Sequence, residues 1–462
     1  MEDLSREWDV VICGTGPTES IISAACATAR KSVLHLDINC EYGGCRRTFS
    51  LKEFLKYVES NGEIIVNRIA EVLPENFRNS AYCIDLMPFT IYARDEFIQI
   101  LINSGNNETS YLKLTEGLFF MAQDGTFRCI PSSKSSIFND KSIGFKQKRV
   151  LTRFVSAFLK KSDYGHNEET DGMLKIIEEF NDKPFADLLR HIGFDNDLAA
   201  SFEYFVAMAQ EPLNTREAVA RIKYFVDSIG CYGNSPFLHY LYGSADLPQV
   251  FCRHSAVYGG IFVLDHSPLS VQKDENGKFI MEVKEIGKVT TSKLVSAPGQ
   301  IPSESPLTKK FIAHREVILS QVSVLENTAS MAVVPPNTAG NEHPVWILQY
   351  SYDSRVCAEK QFLIHFISKG DISSTVDRLF SQEKEPMIIF RTKFSLYEED
   401  SLPIEGAIIV PSPSVSELVN GSSYFVNKAK EILQQIDPSI PFFPPPTEEI
   451  VEVEVENKPT QE

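Results

Sequence analysis

The sequence has no hydrophobic run long enough to span a bilayer, and its first residues lack the apolar core of a secretory signal peptide. Positive charge is scarce: 45 Lys and Arg residues stand against 62 Asp and Glu residues, for a formal net charge of −17. This excess of negative charge opposes binding to nucleic acid and to anionic membranes. The last residues, 458–462, include no cysteine for prenylation. We therefore expect a cytoplasmic (cytosolic) protein with no nucleic-acid partner.

Clustered metal ligands are missing as well. The nine cysteines are scattered in apolar contexts, and the nearest pair, Cys40 and Cys45, does not have the spacing of a zinc site. The nine histidines are equally dispersed. We expect reduced thiols, as is usual in cytosolic proteins, and no metal.

The chain is organised around its opening stretch, residues 9–20. An apolar run leads into a glycine-rich turn, and a small-residue segment follows, which predicts strand, turn and helix of a dinucleotide-binding βαβ unit. Gly14 permits the turn, and Gly16 allows close approach of a ligand to the backbone. A second predicted strand ends at Asp37, about where a ribose-binding acid belongs.

The third position of this glycine fingerprint is Glu19 rather than glycine. A carboxylate in the first turn of a helix suits the helix dipole but repels a diphosphate bound at the same place. The stretch therefore predicts the fold, whereas the cofactor site is damaged. We expect no cofactor, and Gly14, Gly16, Glu19 and Asp37 are the remnant of a fingerprint.

The periodicity of apolar residues changes twice along the chain. Residues 132–229 show helical periodicity throughout, and strand-like runs precede and follow them. The predicted fold class is α/β: an FAD/NAD(P)-binding-like (Rossmann-type) domain, discontinuous over 1–131 and 230–437 and with an added β-sheet, plus an all-helical inserted domain over 132–229. A proline-rich acidic tail follows at 438–462 and is expected to be partly disordered.

Some single elements are predicted as well. Residues 79–86 and 317–325 have the composition of strands, and residues 231–260 hold many Gly, Pro, Tyr and Phe, which favours turns and strands. The segments 414–418 and 422–436 are expected to be helical.

Three kinds of chemistry are open at this point. The opening stretch favours a flavin-dependent oxidoreductase, although Glu19 opposes a bound diphosphate. Ser255, His254 and Asp246 lie close in sequence and suggest nucleophilic catalysis, but no serine stands in a G-x-S-x-G turn. The segment 246–253 mixes polar and apolar residues as protein interfaces do, which suggests a binding protein.

Several long blocks resemble one family. They are D-V-V-I-C-G-T-G-P-T-E-S-I-I-S-A-A at 9–25, V-L-H-L-D at 33–37 with Y-G-G at 42–44, Y-G-N-S-P-F at 232–237 and L-Y-G-S-A-D-L-P-Q-V-F-C-R-H-S-A-V-Y-G-G-I-F-V-L at 241–264. Together they are similar to the GDI/Rab escort protein family. The resemblance implies a flavoprotein-like fold that no longer uses the flavin, a protein that is not a catalyst, and a helical insertion that receives prenyl groups.

Three segments are more similar to the escort branch of this family: P-T-E-S-I-I-S-A-A at 17–25, G-G-I-F-V-L-D-H-S at 259–267 and I-P-F-F-P-P-P-T-E-E at 440–449. That branch implies binding of GDP-bound, unprenylated Rab GTPases, their presentation to the Rab geranylgeranyltransferase heterodimer, and transient membrane contact on delivery. GDP release from the Rab would be inhibited. The alternative branch is a GDP dissociation inhibitor that extracts prenylated Rab from membranes.

The resemblance also implies two sets of site residues. Six positions match the Rab-binding surface of the family, and we call them the GTPase platform: Glu41, Asp246, Gln249, Arg253, Ile261 and Val263. For the geranylgeranyl group only the helical domain is implied. Its large apolar residues are the candidates for a lipid pocket: Phe154, Phe158, Phe202, Phe205 and Met208. No catalytic residue is expected.

Overall fold

The first sheet is built around the opening stretch. The computed structural model describes residues 4–105, 111–158, 168–302, 308–326, 329–381, 384–400, 404–413, 419 and 421–445. Strand β1 (Glu7–Cys13) pairs in parallel with β2 (Val33–Asp37) and with β14 (Gly287–Ser296), and helix α1 (Pro17–Thr28) connects β1 to β2. Val10 to Cys13 are all buried, because a central parallel strand has both faces covered.

The remaining strands of this sheet come from the second half of the chain. The order is β11–β2–β1–β14–β13–β12, with β20 beside β14, where β11 is Ile261–Leu264, β12 Pro268–Lys273, β13 Phe279–Val283 and β20 Ile408–Ile409. Strand β11 is thus at one edge and is paired in parallel with β2. Residues far apart in sequence therefore complete the fold that residues 7–37 begin.

Helices cover this sheet. Helix α1 packs against α11 (Asp246–Val257) and α13 (Ser422–Ile436), and α4 (Glu96–Asn103) packs against α13. The apolar core between them includes Ile440 and Phe443, which belong to the first part of the predicted tail. Residues 446–462 of that tail lie outside the described residues.

A second, larger sheet has mostly antiparallel pairing. Its order is β4 (Gly62–Asn67), β19 (Ile388–Asp400), β15 (Thr308–Ser320), β18 (Phe362–Ser368), β17 (Val345–Ser351), β16 (Ser330–Val334), β8 (Gly117–Met121) and β9 (Phe127–Cys129). Two small sheets are separate from these: one consists of β6 (Ile91–Tyr92), β10 (Phe237–Tyr240) and β7 (Leu112–Leu114), and the other of β3 (Thr48–Phe49) and β5 (Ile84–Asp85).

The elements described between 134 and 228 are helices. They are α5 (Lys134–Asn139), α6 (Phe145–Ser156), α7 (Glu168–Glu179), α8 (Phe185–Ile192), α9 (Asn196–Ala200), a π-helix (Ser201–Val206) and α10 (Thr215–Ser228). Their core is continuous with that of the larger sheet, because the ring of Phe205 contacts those of Phe237 and Trp346. The other helices are α2 (Leu51–Asn61), α3 (Ile69–Val72) and α12 (Ser373–Leu379).

The predicted α/β fold class with a Rossmann-type sheet is confirmed by this topology. Some local predictions were wrong. Of the strand predicted at 79–86 only Ile84–Asp85 is β, after a 3₁₀ turn at Asn79–Ala81, and the strand predicted at 317–325 ends at Ser320. The helix predicted at 414–418 lies outside the described residues.

Helix α11 is the largest difference between the prediction and the structure, because turns and strands were expected for 231–260. Pro248 lies in its first turn, where a missing backbone N–H costs the helix nothing. The apolar side chains of Leu247, Val250 and Phe251 are buried against α1 and α4. The proline and glycine content of the segment conceals this helical face.

Candidate functional site

The glycine fingerprint forms a tight turn that is closed by protein groups. Gly14 has a φ of +103°, and a Cβ atom there would lie 2.7 Å from the Cβ of Ala297. The carboxylate of Asp37 is fully buried and accepts hydrogen bonds from the backbone N–H (2.7 Å) and the hydroxyl (2.6 Å) of Thr15. It also accepts one from the backbone N–H of Asn39, at 2.8 Å. The predicted ribose-binding acid is therefore engaged in holding the turn together.

The position of Glu19, the third residue of the glycine fingerprint, determines whether the turn can bind a diphosphate. Glu19 is 5% exposed, and its Oε2 lies 2.5 Å from where a Cβ on Gly16 would be. Burial, with the nearby charges of Asp37 and Glu398, raises the pKa of Glu19 from 4.5 to about 8. The carboxyl group thus fills the space in which a diphosphate would meet the start of α1.

The loop after β2 closes the turn from the other side. The backbone N–H of Gly43 donates to the carbonyl oxygen (3.1 Å) and the hydroxyl (3.0 Å) of Thr15, and a Cβ on Gly44 would lie 3.4 Å from the Cα of Gly16. A cavity of about 470 Å³ remains beside these loops, lined by Glu19 and Arg47 among others. The buried carboxyl group of Glu19 in this lining does not fit the diphosphate of a dinucleotide.

Three residues of the GTPase platform lie on one face of α11. Asp246, Gln249 and Arg253 follow one another at spacings of three and four, so their side chains share a face. Asp246 and Gln249 are half-buried and Arg253 is exposed. Val257 continues the same face and is 81% exposed.

Two of the other platform residues lie on β11, which contacts α11, and the third lies in the loop after β2. Ile261 and Val263 point to one face of the edge strand β11 and pack partly on the core around Trp8 and Leu34, which leaves each half-buried. Glu41 is in the loop after β2, and the neighbouring loop is tied to it by a hydrogen bond from the N–H of Asp265 to the carbonyl of Asn39 (3.0 Å). The six residues thus come from α11, β11 and one adjoining loop.

The five lipid-pocket candidates are all buried but fall into two groups. Phe154 contacts the rings of Phe158 and Phe202 at centroid distances of 5.1 and 5.5 Å. Phe194, which the sequence did not single out, contacts Phe154 and Phe202 at 5.4 and 5.3 Å. We call these four the phenylalanine cluster. Phe205 instead faces the larger sheet, and the sulfur of Met208 lies 3.7 Å from the hydroxyl of Tyr92.

The nucleophilic alternative is wrong. The hydroxyl of Ser255 is buried and hydrogen-bonds with that of Ser23 at 2.8 Å, while Nε2 of His254 pairs with the hydroxyl of Thr28 at 3.0 Å. Both side chains therefore link α11 to α1, and no histidine–serine pair forms between them. Among the described residues, no group of three or more His, Cys, Asp or Glu side chains is arranged to hold a metal.

Two exposed phenylalanines were missed by the sequence interpretation. Phe138 on α5 is 59% exposed and Phe145 on α6 is 85% exposed. Lys146 and Arg149 stand beside Phe145 in the sequence of α6, although the chain as a whole is acidic. For Phe145, the signal that could have found it is its place on the polar side of the apolar periodicity of α6. None of the helices in the described part of the chain is long and apolar enough to cross a membrane.

Solved structures share this fold. Rab GDI from Plasmodium falciparum superposes with a TM-score of 0.72 at 16% identity, covering 94% of this chain and 99% of that one. A putrescine oxidase variant reaches 0.53 at 12% identity, covering 93% and 98%. At such identities these matches show the fold alone, and in this chain the glycine fingerprint is closed by Glu19 and Asp37.

Sequence comparison is more specific. The family model described as GDP dissociation inhibitor matches residues 4–378, and the chain therefore belongs to this family, as the sequence blocks predicted. A Drosophila melanogaster protein named Rab proteins geranylgeranyltransferase component A is 28% identical over 98% of this chain and 93% of its own length. The Rab escort protein 1 of Arabidopsis thaliana is 25% identical over 90% of this chain and 86% of its own.

Proposed function

We propose that this chain is a Rab escort protein, the non-catalytic component A of Rab geranylgeranyltransferase. It binds GDP-bound, unprenylated Rab GTPases in the cytosol, presents them to the transferase heterodimer and delivers the prenylated product to membranes. The observation that carries the proposal is the match to relatives of that name over nearly the whole chain. The platform geometry and the exposed phenylalanines support it.

The GTPase platform has the chemistry of a protein-binding surface. The face of α11 presents a carboxylate, an amide and a guanidinium in a row, and all three can make directional hydrogen bonds to a GTPase surface. Beside them, Ile261 and Val263 keep part of their apolar surface accessible. A partner held by its switch segments would release GDP slowly, because binding favours the closed conformation.

The exposed phenylalanines suggest where the transferase binds. Large apolar side chains as exposed as Phe138 and Phe145 mark interaction sites when they lie together, and α5 contacts α6. The cation of Lys146 would pair with an acidic partner surface, whereas Arg149 already lies 3.8 Å from the carboxylate of Glu169. We assign the transferase to this surface of α5 and α6, which is distinct from the GTPase platform.

The geranylgeranyl group would enter the helical core. The phenylalanine cluster is wholly apolar and is packed between α6, α8 and the π-helix region, so a lipid chain must displace part of this packing. Removing the geranylgeranyl group from water favours this displacement by about 0.8 kcal/mol for each buried methylene. The prenylated Rab would then stay in solution until it meets a membrane.

One reconstitution tests the proposal. Purified chain, an unprenylated Rab loaded with GDP, the transferase heterodimer and geranylgeranyl diphosphate are combined, and incorporation of lipid into Rab is measured. Modification that depends on adding the chain is expected. Extraction of prenylated Rab from membranes without support of modification would instead assign the chain to the inhibitor branch, and a flavin absorption spectrum would favour an oxidoreductase.

The transferase surface is tested in the same assay. The double variant Phe138→Ala, Phe145→Ala is expected to lower the rate of Rab modification while leaving Rab affinity unchanged. Leu269→Ala removes another apolar side chain, 61% exposed on β12, and is the matched control that should behave as wild type. Equal rates for all three proteins would remove α5 and α6 from the proposed contact.

A further inference from the structure

The start of α11 is held by residues that are distant in sequence. The residue before the helix, Ala245, supplies no side-chain cap. Instead, the backbone N–H and the hydroxyl of Ser244 both donate to the carboxylate of Asp85, each at 2.8 Å. The N–H of Ala245 donates to the hydroxyl oxygen of Thr48 at 3.1 Å. Asp85 and Thr48 therefore bind the backbone N–H groups of the two residues that directly precede the helix.

Asp85 and Thr48 are themselves fixed from the opposite side. They face each other across the β3–β5 pair, and the Thr48 hydroxyl donates to the Asp85 carboxylate at 2.5 Å. Arg315, fully buried on β15, donates from Nε to the carbonyl of Leu86 (3.1 Å) and from Nη2 to that of Asp85 (3.4 Å). A continuous set of hydrogen bonds thus joins the larger sheet to the two residues directly before α11.

The chain between β10 and α11 leaves no room for a shift. Tyr242 and Gly243 both have positive φ angles, +65° and +103°. A Cβ on Gly243 would lie 2.6 Å from the Cγ2 of Thr48 and 2.7 Å from the Oδ1 of Asp85. The backbone before α11 is therefore pressed against the two residues that hold the helix.

We propose that Asp85, acting with Thr48, is a positioning residue for Rab binding: it fixes the start of α11 and so the direction in which Asp246, Gln249 and Arg253 point. This inference rests on the proposed function. Asp246 follows the anchored residues Ser244 and Ala245 directly. The side chains of Leu247 and Phe251 are buried independently of the anchor, so we expect its loss to change the orientation of the helix rather than its helix content.

The test compares two carboxylate-to-amide changes. Asp85→Asn keeps the shape but removes the charge and leaves one oxygen for the three donors that the carboxylate serves, so the hydrogen bonds to Ser244 and Thr48 weaken. Rab affinity is expected to fall about tenfold. Glu316→Gln is the matched control: Glu316 is adjacent to Arg315 on β15 but points to the opposite face, where Arg391 (2.8 Å) and Ser373 (3.4 Å) donate to it. This control should lose folding stability and keep its affinity for Rab.

Two further measurements separate positioning from general stability. Thr48→Ser keeps the hydroxyl and should bind Rab as wild type, whereas Thr48→Val, of the same shape, should bind several-fold more weakly. In a double-mutant cycle, Asp85→Asn should cost less affinity when Arg253 is already alanine. Without the Arg253 side chain, a change in the direction of α11 can no longer weaken its contact with Rab.

Equal affinity losses for Asp85→Asn and Glu316→Gln, or full additivity with Arg253→Ala, would overturn the positioning role. Wild-type affinity of Asp85→Asn would overturn it as well and leave the proposed function intact. A wild-type chain that fails to bind GDP-loaded Rab would overturn the proposed function, and the positioning role with it.

Discussion

The carboxylate of Asp37 and the backbone N–H of Thr15 are joined by a 2.7 Å hydrogen bond inside the glycine turn. The same carboxylate also accepts from the Thr15 hydroxyl, at 2.6 Å, and from Asn39. An acid at the end of β2 that would face a ribose in a dinucleotide-binding protein here binds its own chain. The carboxylate therefore serves as an internal acceptor for the turn.

Replacing Asp37 by alanine is expected to destabilise the fold. The change leaves the Thr15 N–H and hydroxyl buried without an acceptor, at a cost of about 3 kcal/mol in the free energy of unfolding. Urea denaturation measures it. Asp140→Ala is the control, because Asp140 also accepts from a backbone N–H and a hydroxyl, those of Ser142, but in an exposed loop, and should cost less than about 1 kcal/mol. Similar costs for both variants would contradict the buried role of Asp37.

Glu19 is expected to make stability fall as pH rises. Burial raises its pKa from 4.5 to about 8, so between these values the folded chain keeps a proton that the unfolded chain has released. The free energy of unfolding then decreases with pH over this window and levels off above it. Glu19→Gln keeps the neutral shape and removes the titration. Its stability relative to wild type should grow by up to about 3 kcal/mol between pH 5 and 8.

The measurement is urea denaturation of both proteins at several pH values. Other groups titrate equally in the two proteins, so their difference isolates Glu19. A difference that stays constant from pH 5 to pH 8 would mean that Glu19 is ionised in the folded chain.

Arg253→Ala is expected to weaken Rab binding by about 2 kcal/mol, the loss typical of an interface hot spot. Isothermal titration with GDP-loaded Rab measures the affinity. Arg190→Ala, at an exposed arginine on α8 away from the platform, should have no effect. Unchanged affinity of Arg253→Ala would remove this residue from the platform.

Substitutions in the two groups of lipid-pocket candidates are expected to have different effects on the affinity for Rab. Phe154→Leu alters the phenylalanine cluster and is expected to weaken binding of prenylated Rab several-fold more than that of unprenylated Rab. Phe205→Leu changes a ring of equal burial that faces Trp346 instead, and should affect both forms of Rab alike. Fluorescence titration gives the affinity of each variant for prenylated and for unprenylated Rab, and the ratio of these two affinities is compared between the variants. Equal ratios for the two variants would contradict a lipid site at the cluster.

The opening βαβ unit and the helices after residue 132 could be predicted from sequence because their apolar residues recur with a clear period. Helix α11 could not, since Pro248 and nearby glycines conceal its buried face. The sequence also indicated that a bound diphosphate is opposed, because Glu19 stands at the third position of the glycine fingerprint. The anchor of α11 could not be predicted, because Asp85 and Ser244 are 159 positions apart and nothing local marks their contact.

The contact between Phe205 and Trp346 has a practical consequence. The chain contains two tryptophans, and Trp346 is fully buried where the helices meet the larger sheet, with its ring centroid 6.1 Å from that of Phe205. An incoming isoprenoid that displaces Phe202 from the phenylalanine cluster would disturb the π-helix that also carries Phe205, and so the surroundings of this indole. Emission from Trp346, isolated by replacing Trp8 with phenylalanine, would then report cargo loading in real time without an attached dye.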